Sequence, residues 1–337
     1  MSIDDIKLTE LIKDTIYCFI SPDIQVLGID NIPVGAGSQA VGLSRHKINW
    51  KMTAENAIDA TDPTGTTTTI SLEVPGIYLY SKQATFIERS ALSRLYSQAA
   101  NVPYSLSNYP LNEGRSLLVI QDVDVDTDYA KLDIAPIQDR EMLALAYIHR
   151  ANMGCREDLP WLPMVDEAYI AEMINEQWRY SWNIAKDNPA FERTFGQDVI
   201  SGIEEAADGI DEEMSAVIND ASTHTMIHND LNPGNVLVHN NENVYFIDWE
   251  EARYGSLFMD IPMRCGSLQQ ASAYRTYLGN FGCDIPEPRY AELFSIASRY
   301  LGLRFMCWNL GVWEHNEQAK ADLLKYMKMV TQPLFSS

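Results

Sequence analysis

Between Thr225 and Pro262 the chain reads TMIHNDLNPGNVLVHNNENVYFIDWEEARYGSLFMDIP, and this stretch restricts the fold more than any other. His228, Asp230 and Asn235 stand in His-x-Asp-x4-Asn spacing. An apolar run follows, a polar turn at Asn240–Glu242 reverses the chain, and a second apolar run ends on Asp248. Two β-like runs around a turn rich in Asn predict a hairpin, Asn235–His239 and Asn243–Asp248. Such a hairpin brings Asn235 and Asp248, thirteen residues apart, back beside each other. A random His-x-Asp-x4-Asn is expected in only about a few per cent of chains of this length, and Asp248 beyond the hairpin lowers that further.

Phosphoryl transfer needs these residue types in this pattern. One Asp accepts or orients the proton of an attacking hydroxyl, while an Asn and a second Asp coordinate Mg²⁺ ions that bridge nucleotide phosphates. Mg²⁺ prefers oxygen ligands and needs only one or two carboxylates besides phosphate oxygens, which Asn235 and Asp248 supply.

HNDLNPGNVLV followed by FIDWEEARYGSLFMDIP resembles the aminoglycoside phosphotransferase / choline kinase-like family, a branch of the protein-kinase-like fold. The resemblance implies Asp230 as catalytic base, Asn235 and Asp248 as Mg²⁺ ligands and His228 as a structural brace of the loop. Asp260 is implied to hydrogen-bond the catalytic segment rather than react. Asn229 replaces the family's usual Gly and Asn232 its usual His; neither change removes a group that the mechanism needs. Asn232 in place of Lys, Trp249-Glu250 in place of Phe-Gly, and the lack of a following Ala-Pro-Glu set the stretch apart from eukaryotic-type protein kinases.

The rest of the sequence divides in texture. An amphipathic helix over residues 3–20 precedes short β-like runs at Ile24–Gly28, Val41–Trp50, Thr68–Val74, Ile77–Tyr80 and Leu117–Gln121. They are interrupted by one helix, Ala84–Ala99, and a polar connector at Thr61–Thr69 that reads as a hairpin loop. After Asp122 the pattern is mainly helical: Gln138–Met153, Asp166–Ile184, Phe195–Asp220, Tyr290–Trp308 and Glu317–Val330. The expected fold class is α+β, a two-lobed protein-kinase-like fold. Residues 1–122 form the β-rich nucleotide-binding lobe with one main helix, and 123–337 the larger helical lobe with the catalytic loop and acceptor site.

Ser116–Val123 is similar to the family's hinge strand, which implies that Gln121 and Val123 offer backbone groups to adenine. Gly35, Gly37 and Ser38 follow a strand and stand where a loop over ATP phosphates is expected. Glu88 fits the helix Glu of the phosphate-orienting Lys–Glu pair. Lys82 is the nearest Lys, but it lies two residues beyond the expected strand position, where Tyr80 stands. Lys47 and Lys51 are alternatives. The lack of a clean Lys leaves a second reading, a kinase-like binding or regulatory module that no longer transfers phosphate.

Charge bears on partners. The chain has 25 Lys+Arg against 47 Asp+Glu, a formal net charge of −22, with no compensating basic stripe, which excludes a nucleic-acid binder. Residues 157–220 hold 16 Asp+Glu and 3 Lys+Arg, or −13 of the total. In the family this region contributes much of the acceptor site, so the pattern favours an amine-bearing acceptor such as an aminoglycoside or amino alcohol. Glu157, Asp158, Trp178, Trp182, Glu250 and Trp308 are the acceptor-side candidates, with tryptophan faces suited to ammonium groups. Trp178 and Trp182, at i,i+4, equally fit a core-facing helix stripe. Five scattered Cys, an acidic N-terminus and no apolar run of about 18 residues point to a cytoplasmic protein outside the membrane. The expected activity is ATP- and Mg²⁺-dependent transfer of phosphate to a small-molecule hydroxyl, with the oligomeric state left open.

Overall fold

A computed structural model describes residues 3–34, 42–52, 60–61, 67–68 and 76–335. Two compact units form, residues 1–130 with 237–250, and residues 131–236 with 251–337. The division thus falls beyond position 122, and the second hairpin goes with the first unit rather than with the helices.

In the first unit, α1 (Ile3–Phe19) precedes a five-stranded antiparallel sheet in the order β1-β2-β5-β7-β6. Its strands are β1 (Ile24–Ile32), β2 (Ser44–Met52), β5 (Ile77–Ala84), β6 (Ser105–Pro110) and β7 (Ser116–Gln121). The short β3 (Ala60–Thr61) and β4 (Thr67–Thr68) pair with each other, the hairpin expected of the Thr-rich connector. Leu11, Ile12 and Ile16 recur at helical spacing and bury against Ile48, Ile77, Leu79 and Val119 of the sheet. Both β2 and β5 extend beyond their expected C-terminal ends, and β5 continues four residues beyond Tyr80. The strand expected over 68–74 lies outside the described residues apart from Thr68, as do Gly35, Gly37 and Ser38.

Helix α2 (Phe86–Ser97) starts where the Thr85 side chain accepts the Glu88 N–H, an N-cap worth about 1 kcal/mol. The second hairpin, β9 (Val236–His239) and β10 (Asn243–Phe246), turns at Asn240 and Asn241 with φ of 52° and 58°. Positive φ at both central residues is what a tight two-residue hairpin demands, and Asn tolerates it. Asn101 fastens this hairpin, donating to the Val244 carbonyl and accepting the Phe246 N–H.

The second unit is helical around a two-stranded ladder, β8 (His224–Ile227) with β11 (Arg253–Ser256). Its helices are α3 (Ile134–Asn152), α4 (Glu167–Ala171), α5 (Arg179–Lys186), α6 (Pro189–Phe195), α7 (Gln197–Ala207) and α8 (Ile210–Ile218). They continue with α9 (Ile261–Arg264), α10 (Leu268–Asn280), α11 (Glu287–Val312) and α12 (Glu317–Thr331). A π-helical stretch, Glu172–Trp178, joins α4 to α5. The single helix expected over Phe195–Asp220 is broken at Gly196 (φ 86°) and Gly209 (φ 74°), backbone that glycine adopts readily and other residues rarely. None of the described helices is long and apolar enough to cross a membrane.

Candidate active site

In the first unit, the extension of β5 decides the position of Lys82. Paired with Leu118 of β7, Lys82 lies inside the sheet and is buried. Its Nζ is 2.8 Å from Glu88 Oε1 on α2 and 2.8 Å from Asp248 Oδ1 just after β10. The two-residue offset from Tyr80 is thus absorbed by a longer strand. Lys47 and Lys51 are exposed on β2. Asp248 has φ 62°, which turns the chain sharply after the strand.

Burial dominates Glu88, which is wholly enclosed; it pushes the carboxyl from 4.5 up to about 7, against the attraction of Lys82. Lys82 is itself penalised by burial, but the Glu88 and Asp248 charges outweigh this and raise its pKa. Glu250 adds a third carboxylate, 3.2 Å from Arg115. One oxygen each from Glu88, Asp248 and Glu250 falls within 4.8 Å of the others, a donor set of hard oxygens that suits a divalent cation.

The expected hinge residues differ in what they leave free. Gln121 donates its N–H to Tyr104, and the Val123 carbonyl accepts from His239 Nδ1 at 2.6 Å. The Gln121 amide and the Val123 carbonyl are thus already engaged. Between them Asp122 is buried against Arg45 at 2.6 Å, a pair with no signal in the local pattern of residues.

In the second unit, β8 delivers the catalytic-loop sequence. Asp260, wholly buried, accepts the backbone N–H of His228 (2.7 Å) and of Asn229 (2.8 Å). His149 Nε2 lies 3.1 Å from the same carboxylate, and its Nδ1 is 2.7 Å from the Tyr274 hydroxyl. Burial works to raise the Asp260 pKa, but the His149 hydrogen bond, the charges of His149 and His228 and the loop amide together lower it. His149 is therefore part of the brace of this loop.

The brace fixes an unusual backbone. Asn229 has φ 64°, a conformation open to Gly and tolerated by Asn, which accounts for Asn in place of the usual Gly. Asp230 is partly exposed. Its Oδ2 accepts from Asn235 Nδ2 (3.1 Å) and Asn232 Nδ2 (3.2 Å), and Asn235 Nδ2 also reaches the Asp230 carbonyl (2.8 Å). Asn232, where the family usually has His, thus holds the Asp230 carboxylate. Among the described residues, the side-chain bonds of Asn235 run through its nitrogen.

The acceptor-side candidates scatter. Trp178 and Trp182 are each 1% exposed and stack on one another at 5.5 Å, with Phe191 edge-on to Trp182. Their faces are taken, so the expectation that they meet an ammonium group gives way to the core stripe. Glu157, Asp158 and Trp308 are exposed. Several acids of the 157–220 region are neutralised within the unit: Glu204 by Lys186, Glu213 by Arg299 and Asp220 by Arg289.

The architecture defines the class first. Spectinomycin phosphotransferase, solved with ADP and spectinomycin, is 15% identical over 92% of this chain and 91% of its own, with a TM-score of 0.58. An aminoglycoside phosphotransferase from Alicyclobacillus acidocaldarius gives 14%, 93%, 91% and 0.58. Choline kinase from Streptococcus pneumoniae gives 13%, 95%, 98% and 0.51. The fold is that of the protein-kinase-like phosphotransferases.

Within that class, the model of the phosphotransferase enzyme family (APH) matches residues 144–295. This is the family that the catalytic-loop motif resembles. Comparison with curated protein sequences finds no match.

Proposed function

We propose that the protein is an ATP- and Mg²⁺-dependent O-phosphotransferase acting on the hydroxyl of a small molecule in the cytoplasm. The observation that carries this reading is the Lys82 ion pair with Glu88 and Asp248 in the first unit; in the second, Asn232 and Asn235 hold Asp230. The family match over the catalytic segment supports it. The pairing of Lys82 supports transfer over the alternative of a degenerate binding module.

Asp230 is the group that receives the acceptor proton. As the acceptor oxygen bonds to the γ-phosphorus, the bond from that phosphorus to the β,γ-bridging oxygen breaks. ADP keeps the electron pair and Asp230 takes the hydroxyl proton. Lys82 supplies positive charge to the nucleotide phosphates, and Glu88 holds its ammonium in place. Asn235 and Asp248 are the proposed Mg²⁺ ligands; the ion, when bound, neutralises charge on the β- and γ-phosphates. The Val123 amide is proposed to meet the nucleobase. Catalysis on this account is chiefly positioning and electrostatics.

The test has two stages. Mg²⁺-dependent thermal stabilisation by ATP reads nucleotide binding, and ADP release with a panel of hydroxyl compounds reads turnover. Stabilisation together with acceptor-dependent release is expected. Stabilisation with no release from any hydroxyl acceptor would favour the binding module.

A further inference from the structure

Asn229, directly before the proposed base, makes two side-chain bonds in the second unit. Its Nδ2 donates to the Tyr169 hydroxyl at 3.0 Å, and its Oδ1 accepts from Arg304 at 2.9 Å. The Tyr169 ring carries two guanidinium groups, Arg253 at 4.0 Å and Arg304 at 5.8 Å from its centroid. In a chain with 47 acidic residues, neither arginine is ion-paired among the described residues. The only side-chain hydrogen bond of Arg253 there goes to the Met164 carbonyl at 3.3 Å, and its buried Nε has no partner. The Tyr300 hydroxyl, wholly buried, also has none, and both arginine charges act on it.

Two partly exposed guanidinium groups on one ring repel each other, and a structural stack does not call for two. What they lack is an anion. Guanidinium forks match the planar, two-oxygen edge of a carboxylate or phosphate, which is the usual use of paired arginines.

The surroundings agree in sign. Arg304 lies 5.4 Å from the Phe305 ring, Phe305 packs on Tyr326 at 6.0 Å, and Lys325 lies 5.7 Å from the Tyr326 ring. The Asp230 charge contributes to raising the Tyr326 phenol, after burial and Asp322. A cavity of about 420 Å³, lined in part by Pro233 and Lys325, opens in the same unit. Arg264, Lys325 and Lys328 line it, and no Asp or Glu does; Arg264 is occupied by Glu141. A cavity of that size holds a small metabolite.

We propose that Arg253 and Arg304 form an anion-recognition subsite, so that the acceptor carries a carboxylate or phosphate as well as the hydroxyl to be phosphorylated. The proposal rests on the phosphotransferase reading and reverses the amine preference expected from the acidic sequence of residues 157–220. The anionic group docks on the arginines, while Asn229, bonded to Arg304, ties their position to that of Asp230.

Three acceptor sets are offered to the full-length protein with Mg·ATP: hydroxy acids and sugar phosphates, uncharged polyols, and choline with amino sugars. Turnover is expected with the anionic set, and carboxylates are told from phosphates within it. Losing one charge-assisted contact in Arg253→Gln should raise KM for the anionic acceptor about tenfold or more, with kcat within about threefold. Arg304→Lys, which keeps the charge, should lose less than Arg304→Gln. The ratio of kcat/KM for an anionic acceptor to that for its uncharged analogue should fall in both Gln variants, which a merely structural role would not produce. Preferred turnover of amines, or an unchanged ratio in both variants, overturns the proposal.

A binding measurement separates the two levels. Inorganic phosphate at constant ionic strength should stabilise wild type more than Arg253→Gln, and equal stabilisation overturns the subsite. If Mg·ATP stabilises the protein but no acceptor is turned over, the transferase reading fails, and the phosphate comparison alone decides the subsite.

Discussion

Lys82 Nζ stands 2.8 Å from Asp248 Oδ1, joining β5 to a residue 166 positions later in the sequence. The same ammonium reaches Glu88 at 2.8 Å, so one cation holds two carboxylates in register. This arrangement ties the strand Lys, the helix Glu and the segment after the hairpin into one structural feature.

Replacing Lys82 by Met removes that cation and leaves Glu88 enclosed with no counter-charge. The expected result is a rise of at least about tenfold in KM for ATP, corresponding to about 1.4 kcal/mol. Glu88 should then titrate at a still higher pH, since the main influence lowering it is gone. Steady-state kinetics with varied ATP checks the first, and an unchanged KM would show that Lys82 does not meet the phosphates.

Glu88 itself makes stability depend on pH. Its folded-state pKa of about 7 lies above its ordinary 4.5, so the native protein binds the extra proton between these values. The stability it contributes is therefore full below the unfolded value and is lost as pH rises through the folded one. Glu88→Gln cannot ionise, so it should gain stability relative to wild type between pH 5 and pH 8. Denaturant unfolding at both pH values measures this; a difference that does not change with pH would contradict the burial account.

The Asn229 backbone offers a cleaner comparison. Glycine adopts φ 64° freely and alanine does not, so Asn229→Ala should be less stable than Asn229→Gly by about 1–2 kcal/mol. Both lose the bonds to Tyr169 and Arg304, which therefore cancel. Equal unfolding midpoints would show that the loop relaxes to a different conformation.

Asp260 braces the catalytic loop through two amides and His149. Asp260→Ala leaves these donors buried without an acceptor and should cost about 3 kcal/mol or more. Because its pKa is lowered in the fold, the contribution of Asp260 is present above the ordinary carboxylate range and is lost as pH falls through the folded value. The wild-type advantage over Asp260→Asn should therefore shrink on acidification, measured by unfolding at pH 7 and pH 3.

The extent to which these features can be read from sequence follows their physics. The His228-Asp230-Asn235-Asp248 spacing is local, and the Asn240–Asn241 turn announces itself through residues that accept positive φ, so the hairpin emerges from pattern alone. Lys82 seemed displaced because the alternation in IYLYSKQ was ended at Tyr80, yet pairing with β7 carries the strand on to Ala84. Such pairing is a tertiary influence that no local window contains. Helix Phe195–Asp220 was broken by Gly196 and Gly209, signals present in the sequence but outweighed by the apolar periodicity around them. Strands β8 and β11 are each four residues long, too short for a periodic signature. The Arg253–Tyr169–Arg304 cluster joins three separate elements and has no sequence pattern at all. Regional charge favours an amine acceptor, but charge counts cannot show that Glu204, Glu213 and Asp220 are already paired.

On the proposed mechanism, Asp230 takes the proton of an acceptor hydroxyl while phosphate passes from ATP. The most direct measurement is transfer of labelled γ-phosphate to acceptor by wild type and Asp230→Asn, with ATP affinity determined in the same preparations. Transfer should fall by at least about 10²-fold, the scale of a lost general base, while ATP affinity stays within about threefold. Transfer by Asp230→Asn at the wild-type rate would contradict the account.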